Sequence, residues 1–428
     1  MTYATRRGAG RVQRETPVRR HRPNYLIVLF MALLMLLGLV VMFAIGPQRA
    51  NVMNNAMGTD FSSSYFFIKQ TVSVLVAFAV FVVVSTIPYE FIKKHAVKLL
   101  WIGIGACIVL AIAGWLGLGI AQCSLGACRW FVLPGIGTLQ PAEILKFGTL
   151  VFLAGFLGMR MKQGLIDDVH KTLIPLGISL IPAVVLVIVI QKDLGTGLAI
   201  LSIVASMLTA AGISSKRGVA LLGIALLCGV LLVVVAPHRI ERVATFFEGD
   251  SAVINDSNYH IIHAKIAIGS GGLFGVGIGN SVQATGYLPE AINDSVFAIM
   301  GETFGFVGLI VILLLFVGLL LQLLRGVDRL EDPWMKLTVA GIFGWFGAHV
   351  ILNIAAMIGV FPLTGITLPL LSFGGTSMIF IAGALGLAFQ LSRYTAHGSI
   401  ASTKEVGYEN SRSRRGVGRT RYTGRRSH

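Results

Sequence analysis

The sequence predicts an all-α polytopic integral membrane protein with about ten transmembrane helices. Three observations carry this. Hydrophobic residues make up 55% of the 428 residues and charged residues only 13%. A soluble domain carries about 25% charged residues, so this chain has too few to cover a water-facing surface. Many apolar runs exceed the roughly 18 residues that mark a membrane span. Finally, Lys and Arg are distributed unevenly between the segments that join those runs. A soluble enzyme, a disordered chain and a disulfide scaffold all fit poorly.

The apolar runs lie at about 24–45, 68–87, 99–121, 141–158, 172–190, 194–213, 218–236, 294–324, 335–358 and 375–392. The 294–324 run is long enough that it must tilt, kink or extend past the bilayer. Ten spans put both chain ends on one side. With the ends inside, 27 of the 35 basic residues fall inside, which is the positive-inside pattern and makes both termini cytoplasmic. The eight outer ones are Arg49, Lys69, Arg129, Lys146, Lys192, Arg239, Arg242 and Lys265. Acidic residues divide nine to ten and carry no orientation signal. The outer side then holds loops at 122–140 and 359–374 and a long loop at 237–293, between helices 7 and 8.

The net charge of +16 sits mostly in the tails. Residues 1–22 hold seven Arg and one Glu, and residues 393–428 hold nine Lys or Arg and two Glu. Both are rich in Arg, Ser and Gly and read as disordered, so the domains are a basic tail at 1–22, a membrane domain at 23–393 and a basic tail at 394–428. The charge is therefore an orientation signal, with the tails free to meet membrane lipid or partner proteins, and no nucleic acid is expected. The first apolar run is too long for a signal-peptide core, and no small-residue cleavage site follows it. No internal repeat is visible.

Five constellations could carry chemistry. Pro289-Glu290-Ala291-Ile292-Asn293-Asp294 ends the long outer loop. Asp294 directly precedes an apolar run, so it reads as a helix N-cap or as a general base at the membrane surface. Glu302 lies about two helical turns further on, where an ionisable group is costly and so invites a function. In Gln140-Pro141-Ala142-Glu143-Ile144-Leu145-Lys146, Glu143 and Lys146 share a helix face, as a buried ion pair or as the lining of a polar cavity. Gln191-Lys192-Asp193-Leu194-Gly195 reads as a turn. The run Gly269–Asn280 does not match a dinucleotide-binding fingerprint; its glycines allow close backbone approach to a headgroup or to another segment. Phe361–Ser377 is broken by two prolines and three glycines, a re-entrant pattern tolerated at membrane depth only inside protein or beside a wet cavity.

Arg129, Arg239, Arg242 and Lys265 resist the positive-inside rule, either to bind an anion or to pair with Glu241, Glu248 or Asp250. Cys107 and Cys228 read as packing residues in spans. Cys123 and Cys128 flank a four-residue loop and would form a disulfide if that face is oxidising. Of the outer histidines His238, His260 and His263, the last two are spaced as a ligand pair could be, but no established metal motif is present, and no metal site is assigned.

In order along the chain, Arg129-Trp130, Gln140 to Lys146, Asp193-Leu194-Gly195-Thr196, Gly271 to Asn280, Leu288-Pro289-Glu290, Asp294, Gly301-Glu302 and Leu368-Pro369 through Gly374-Gly375 resemble the shape, elongation, division and sporulation (SEDS) proteins, the FtsW/RodA family. The resemblance covers about 24–395, and Gly279-Asn280-Ser281-Val282-Gln283 is closer to the division branch than to the elongation branch. It implies a peptidoglycan glycosyltransferase that polymerises lipid II on the outer face of the cytoplasmic membrane, beside a class B penicillin-binding protein and other division proteins. Asp294 maps onto the family's catalytic aspartate, with Glu143 and Lys146 on its span motif. Arg129, Asp193, Arg239, Arg242, Lys265, Glu290, Glu302 and Ser372 complete the expected substrate-binding set. A pyrophosphate leaving group would suit a divalent cation, Mg2+ or Mn2+, though no ligand set identifies one. The sequence departs from the family at Ile292, where His is usual, at Ser295, where Phe is usual, and at His260, where Gln is common. A lipid II flippase and an elongation polymerase are the alternatives.

Overall fold

A computed structural model of the chain describes residues 21–124, 127–133, 137–234 and 256–394. Among them, eight helices are long and apolar enough to cross a membrane. They include α1 (Tyr25–Met57), α2 (Tyr65–Thr86), α4 (Ala96–Trp115) and α5 (Pro141–Lys162), with the short helix α3 (Tyr89–Lys94) between α2 and α4. The fifth, Val169–Ile190, is the helix α6 (Ile174–Val184) flanked by two π-helical turns. The last three are α10 (Val296–Arg329), α11 (Pro333–Met357) and α12 (Gly375–Leu391, with the turn to Tyr394). The shorter apolar helix α7 (Leu194–Ala210) and α8 (Ser215–Val234) fill the remaining two predicted runs. Lipid contact explains why the outward faces are apolar as well, as at Leu75 and Phe78 on α2, Trp101 and Ile102 on α4, and Leu314 and Val317 on α10.

The first and last described residues meet at one end of the bundle. The His21 amide donates to the Arg393 carbonyl (2.7 Å), and the Asn24 amide donates to Ser392 Oγ (2.9 Å). Asn24 also caps α1 by accepting from the Leu26 amide (3.1 Å). At this same end the Ser214 amide donates to Asp167 (2.9 Å) and Arg217 lies 3.2 Å from it. The amide bond first, with help from Arg217, holds the Asp167 carboxyl below the usual carboxylate range.

Two segments expected as loops carry regular structure. Residues 121–139 form a three-stranded antiparallel sheet in the order β1 (Ala121–Ser124), β2 (Ala127–Leu133), β3 (Gly137–Leu139). Cys123 and Cys128 are cross-strand partners joined by a disulfide. These strands are too short for alternation to stand out in sequence. The stretch 237–293 contains helix α9 (Asp256–Ser270), whose His and Lys residues hide it from a search for apolar runs.

The long helix α10 kinks. Gly305 takes φ 68°, ψ −169° inside it, which breaks the ladder of helical hydrogen bonds. In a membrane each orphaned backbone group would cost several kcal/mol, and the glycine-rich run supplies the partners. Val276 and Gly277 amides donate to the Glu302 and Thr303 carbonyls (2.9 and 3.1 Å), and Phe306 and Val307 amides donate to Gly272 and Leu273 (2.9 and 3.1 Å). Of the two sequence readings of this run, the structure shows close packing of one segment on another. A Cβ on Gly275, which has φ +83°, would stand 2.2 Å from the Thr303 carbonyl oxygen.

Gly275→Ala should therefore destabilise the protein by more than about 1 kcal/mol. Gly105→Ala, on α4 with nothing within 4 Å of the added Cβ, should be neutral or stabilise by roughly 0.5–1 kcal/mol. Thermal unfolding of the detergent-purified variants checks both.

Candidate active site

Asp294 does not cap α10. Ser295 occupies the N-cap position, and Asp294 lies half-buried in the turn before it. Sequence placed the helix start one residue early because an Asp before an apolar run is the commoner cap. The turn is closed from inside: the Asn293 and Ser295 amides donate to the Glu290 carbonyl (2.9 and 3.2 Å), and Ser295 Oγ donates to the Pro289 carbonyl (2.8 Å). Glu290, at φ 50°, turns the chain and accepts from the Asn293 carboxamide.

The turn is also held from outside. Asn353, buried on α11, donates to the Asp294 carbonyl and to the Ile366 carbonyl, both at 2.7 Å. The Phe373 amide donates to the Ile292 carbonyl (2.8 Å). The non-helical segment 361–374 is thus fastened to the Asp294 turn at two points. Ser372 stabilises that segment from within, its hydroxyl accepting from the Leu368 amide (2.8 Å) while its carbonyl accepts from Gln70 (3.3 Å).

The predicted pair Glu143–Lys146 forms an ion pair at 2.9 Å with both side chains buried. Lys146 Nζ lies 3.3 Å from His349 Nε2 and 5.0 Å from the Trp345 ring centroid. Trp345, His349 and Asn353 are spaced by four and so share one face of α11. Sequence inspection missed all three. The available signal was that same spacing of polar-tipped side chains within an apolar span.

Other predicted residues form separate contacts. Asp193 caps α7, accepting from the Thr196 amide (2.9 Å) and hydroxyl (2.8 Å) and from Gln140 (3.0 Å). Beside it, Arg129 donates to the carbonyls of Gln191 (3.2 Å) and Lys192 (2.9 Å), tying the sheet to the α6–α7 hairpin. Gly195 abuts Ile366 and Thr364, so this hairpin touches the 361–374 segment. Glu302 is buried and accepts from Ser281 Oγ (2.5 Å) and from the Val282 (2.9 Å) and Gln283 amides, which fixes the end of the glycine-rich run.

Helix α9 carries His260 against Ser295 Oγ (2.5 Å), His263 against Gln283 Oε1 (2.7 Å), and Lys265 over the Gly359 backbone. The two histidines thus hold separate partners. Among the described residues no three His, Cys, Asp or Glu side chains cluster as a metal site. Arg239 and Arg242, with His238, Glu241, Glu248 and Asp250, lie outside the described residues. Chemically, the arrangement offers a carboxylate at a helix N-terminus, on a turn bonded to several elements at the end of the bundle opposite Asn24 and Ser392.

Residues 24–397 match the cell cycle protein family of FtsW, RodA and SpoVE. The chain is 31% identical over 371 residues to the probable peptidoglycan glycosyltransferase FtsW of Nitrosomonas europaea, covering 86% of this chain and 92% of that one. Its fold resembles Thermus thermophilus rod shape determining protein RodA, with TM-score 0.60, 25% identity and coverage of 88% and 98%. It also resembles a chain from a peptidoglycan synthase complex that coordinates polymerization and crosslinking, with TM-score 0.66, 24% identity and coverage of 87% and 98%. The chain belongs to the cell cycle protein family.

Breaking the buried pair from one side should be costly. Lys146→Met leaves Glu143 buried without its partner, with an expected loss of about 3–5 kcal/mol. The double variant Glu143→Gln, Lys146→Met should regain most of that stability in thermal unfolding.

Proposed function

We propose that this family member is a peptidoglycan glycosyltransferase that polymerises lipid II at the outer face of the cytoplasmic membrane for septal wall synthesis. The observation that carries this is the placement of Asp294. Its turn is bonded to α11, to segment 361–374 and to α9, all at the bundle end opposite Asn24 and Ser392. The positive-inside distribution supports putting that end outside. The 31% identity to a protein named for this activity supports the reaction.

In the proposed reaction Asp294 accepts the proton of the acceptor sugar's 4-hydroxyl. That oxygen forms a bond to the donor's anomeric carbon. The bond from that carbon to the prenyl pyrophosphate breaks, and its electron pair leaves on the phosphate oxygen. The dipole of α10 favours the charged carboxylate before the step. Lys265, on α9, and Arg239 and Arg242 are proposed to meet the departing pyrophosphate. Mg2+ or Mn2+ would enter with that group, and no step requires it to be held by this chain. Arg129, Asp193, Glu290, Glu302 and Ser372 act in this reading through the backbone they fix, and Glu143–Lys146 through α11. A class B penicillin-binding protein is the proposed partner, crosslinking the strands produced.

Asp294→Asn keeps the size of the side chain and removes the base. Purified with its transpeptidase, this variant should lose polymerisation of labelled lipid II by roughly 100-fold or more, with unfolding temperature unchanged. Parent-level polymerisation would exclude Asp294 as base. Lipid II translocation in vesicles without polymer would favour a flippase.

A further inference from the structure

We propose that His260 is a positioning residue for Asp294, acting through the hydroxyl of Ser295; this rests on Asp294 being the base. The argument is one of proton accounting. Ser295 Oγ lies 2.8 Å from the Pro289 carbonyl and 2.5 Å from His260 Nε2. A carbonyl brings no proton, and a hydroxyl has only one to give. In this proposal the Ser295 proton goes to Pro289, and His260 carries a proton on Nε2 and donates it to Oγ. Charging the ring leaves the bond intact, since both nitrogens then donate.

The consequence falls on the residue in between. Ser295 is fully buried and makes no capping bond to α10. Its hydroxyl instead closes the loop from Pro289 to Ser295, inside which Asp294 sits. His260 comes from a different element, α9, and fixes the orientation of that hydroxyl from outside the turn. Without it the Ser295 hydroxyl can rotate away from Pro289. The Asp294 turn then loses that closure and keeps the bonds from Asn353 and Phe373 and those to the Glu290 carbonyl. His263, one turn along α9, fastens the same helix to Gln283 rather than to the Asp294 turn, and so provides a control for mere docking of α9.

The test is steady-state polymerisation of labelled lipid II by the full chain with its transpeptidase, for His260→Ala, His260→Gln, His263→Ala, Ser295→Ala, the double variant His260→Ala, Ser295→Ala, and Asp294→Asn. We expect His260→Ala to lower kcat roughly 10- to 100-fold while KM shifts less than about twofold. His260→Gln places an amide donor where Nε2 stood and should restore kcat to within about threefold of the parent. The double variant should be no slower than Ser295→Ala, because both changes break one chain of bonds. His263→Ala should lower the unfolding temperature more than it lowers kcat. If His260→Ala does not fold, His260→Gln and Ser295→Ala carry the comparison: a parent-like Ser295→Ala overturns the proposal. So do a His260→Ala enzyme at parent kcat, a Gln variant no better than Ala, or losses that multiply in the double variant. Should Asp294→Asn stay fully active, the base assignment itself falls; an inactive Asp294→Asn beside an unaffected His260→Ala removes only the role of His260.

Discussion

The site depends on one carboxamide. Asn353 spends both of its protons on carbonyls that no helix can satisfy, those of Asp294 and Ile366. A backbone carbonyl buried at membrane depth has no water to turn to, so a turn and a broken loop can stand side by side there only if something donates to both. Asn353 lies on helix α11, with His349 one turn below against Lys146. Two non-helical segments are thereby tied to one transmembrane helix. The buried ion pair also touches α11, through Lys146 and His349, the helix that holds the Asp294 turn.

A second solution to the same constraint lies on the other side of that turn. Where α10 breaks at Gly305, four backbone bonds from the glycine-rich run replace the missing helical ones. Side chains would not fit: the Cβ positions of Gly275 and Gly305 fall within 2.3 Å of opposing backbone atoms. Glu302 then locks the far end of the run through Ser281, Val282 and Gln283. An intramembrane carboxylate thus works here as an acceptor for backbone amides, and the cost of burying it is offset by the bonds it collects.

The spans were legible in the sequence because lipid acts on composition alone: a run of apolar residues is enough, whatever it packs against. The ten runs and their order are found in the structure. Glu143–Lys146 was legible because helical spacing brings residues three apart onto one face. The sheet at 121–139 and helix α9 were not, since both lie outside the apolar runs and are held by contacts remote in sequence, such as Arg129 to Gln191 and His260 to Ser295. Asn353 escaped notice for a related reason. An isolated Asn in a span has no local signature, and its two partners are 59 and 13 residues away. Asp294 was read as either a cap or a base; the cap reading fails, because Ser295 holds the N-cap position with its hydroxyl on the Pro289 carbonyl, a contact local propensity cannot see.

That one-residue shift bears on the chemistry. An N-cap carboxylate accepts from the first amides of its own helix, and its lone pairs are committed to them. A carboxylate one residue earlier still feels the positive end of the helix dipole, which favours its charged form, yet need not bond to those amides. Ser295, at the N-cap, makes no side-chain bond to them; its hydroxyl turns back to close the loop. The turn is therefore built so that backbone contacts fix the position of Asp294. The departures from the family at Ser295 and His260 fall on this closure, and they supply it with a hydroxyl and a ring nitrogen that bond to each other.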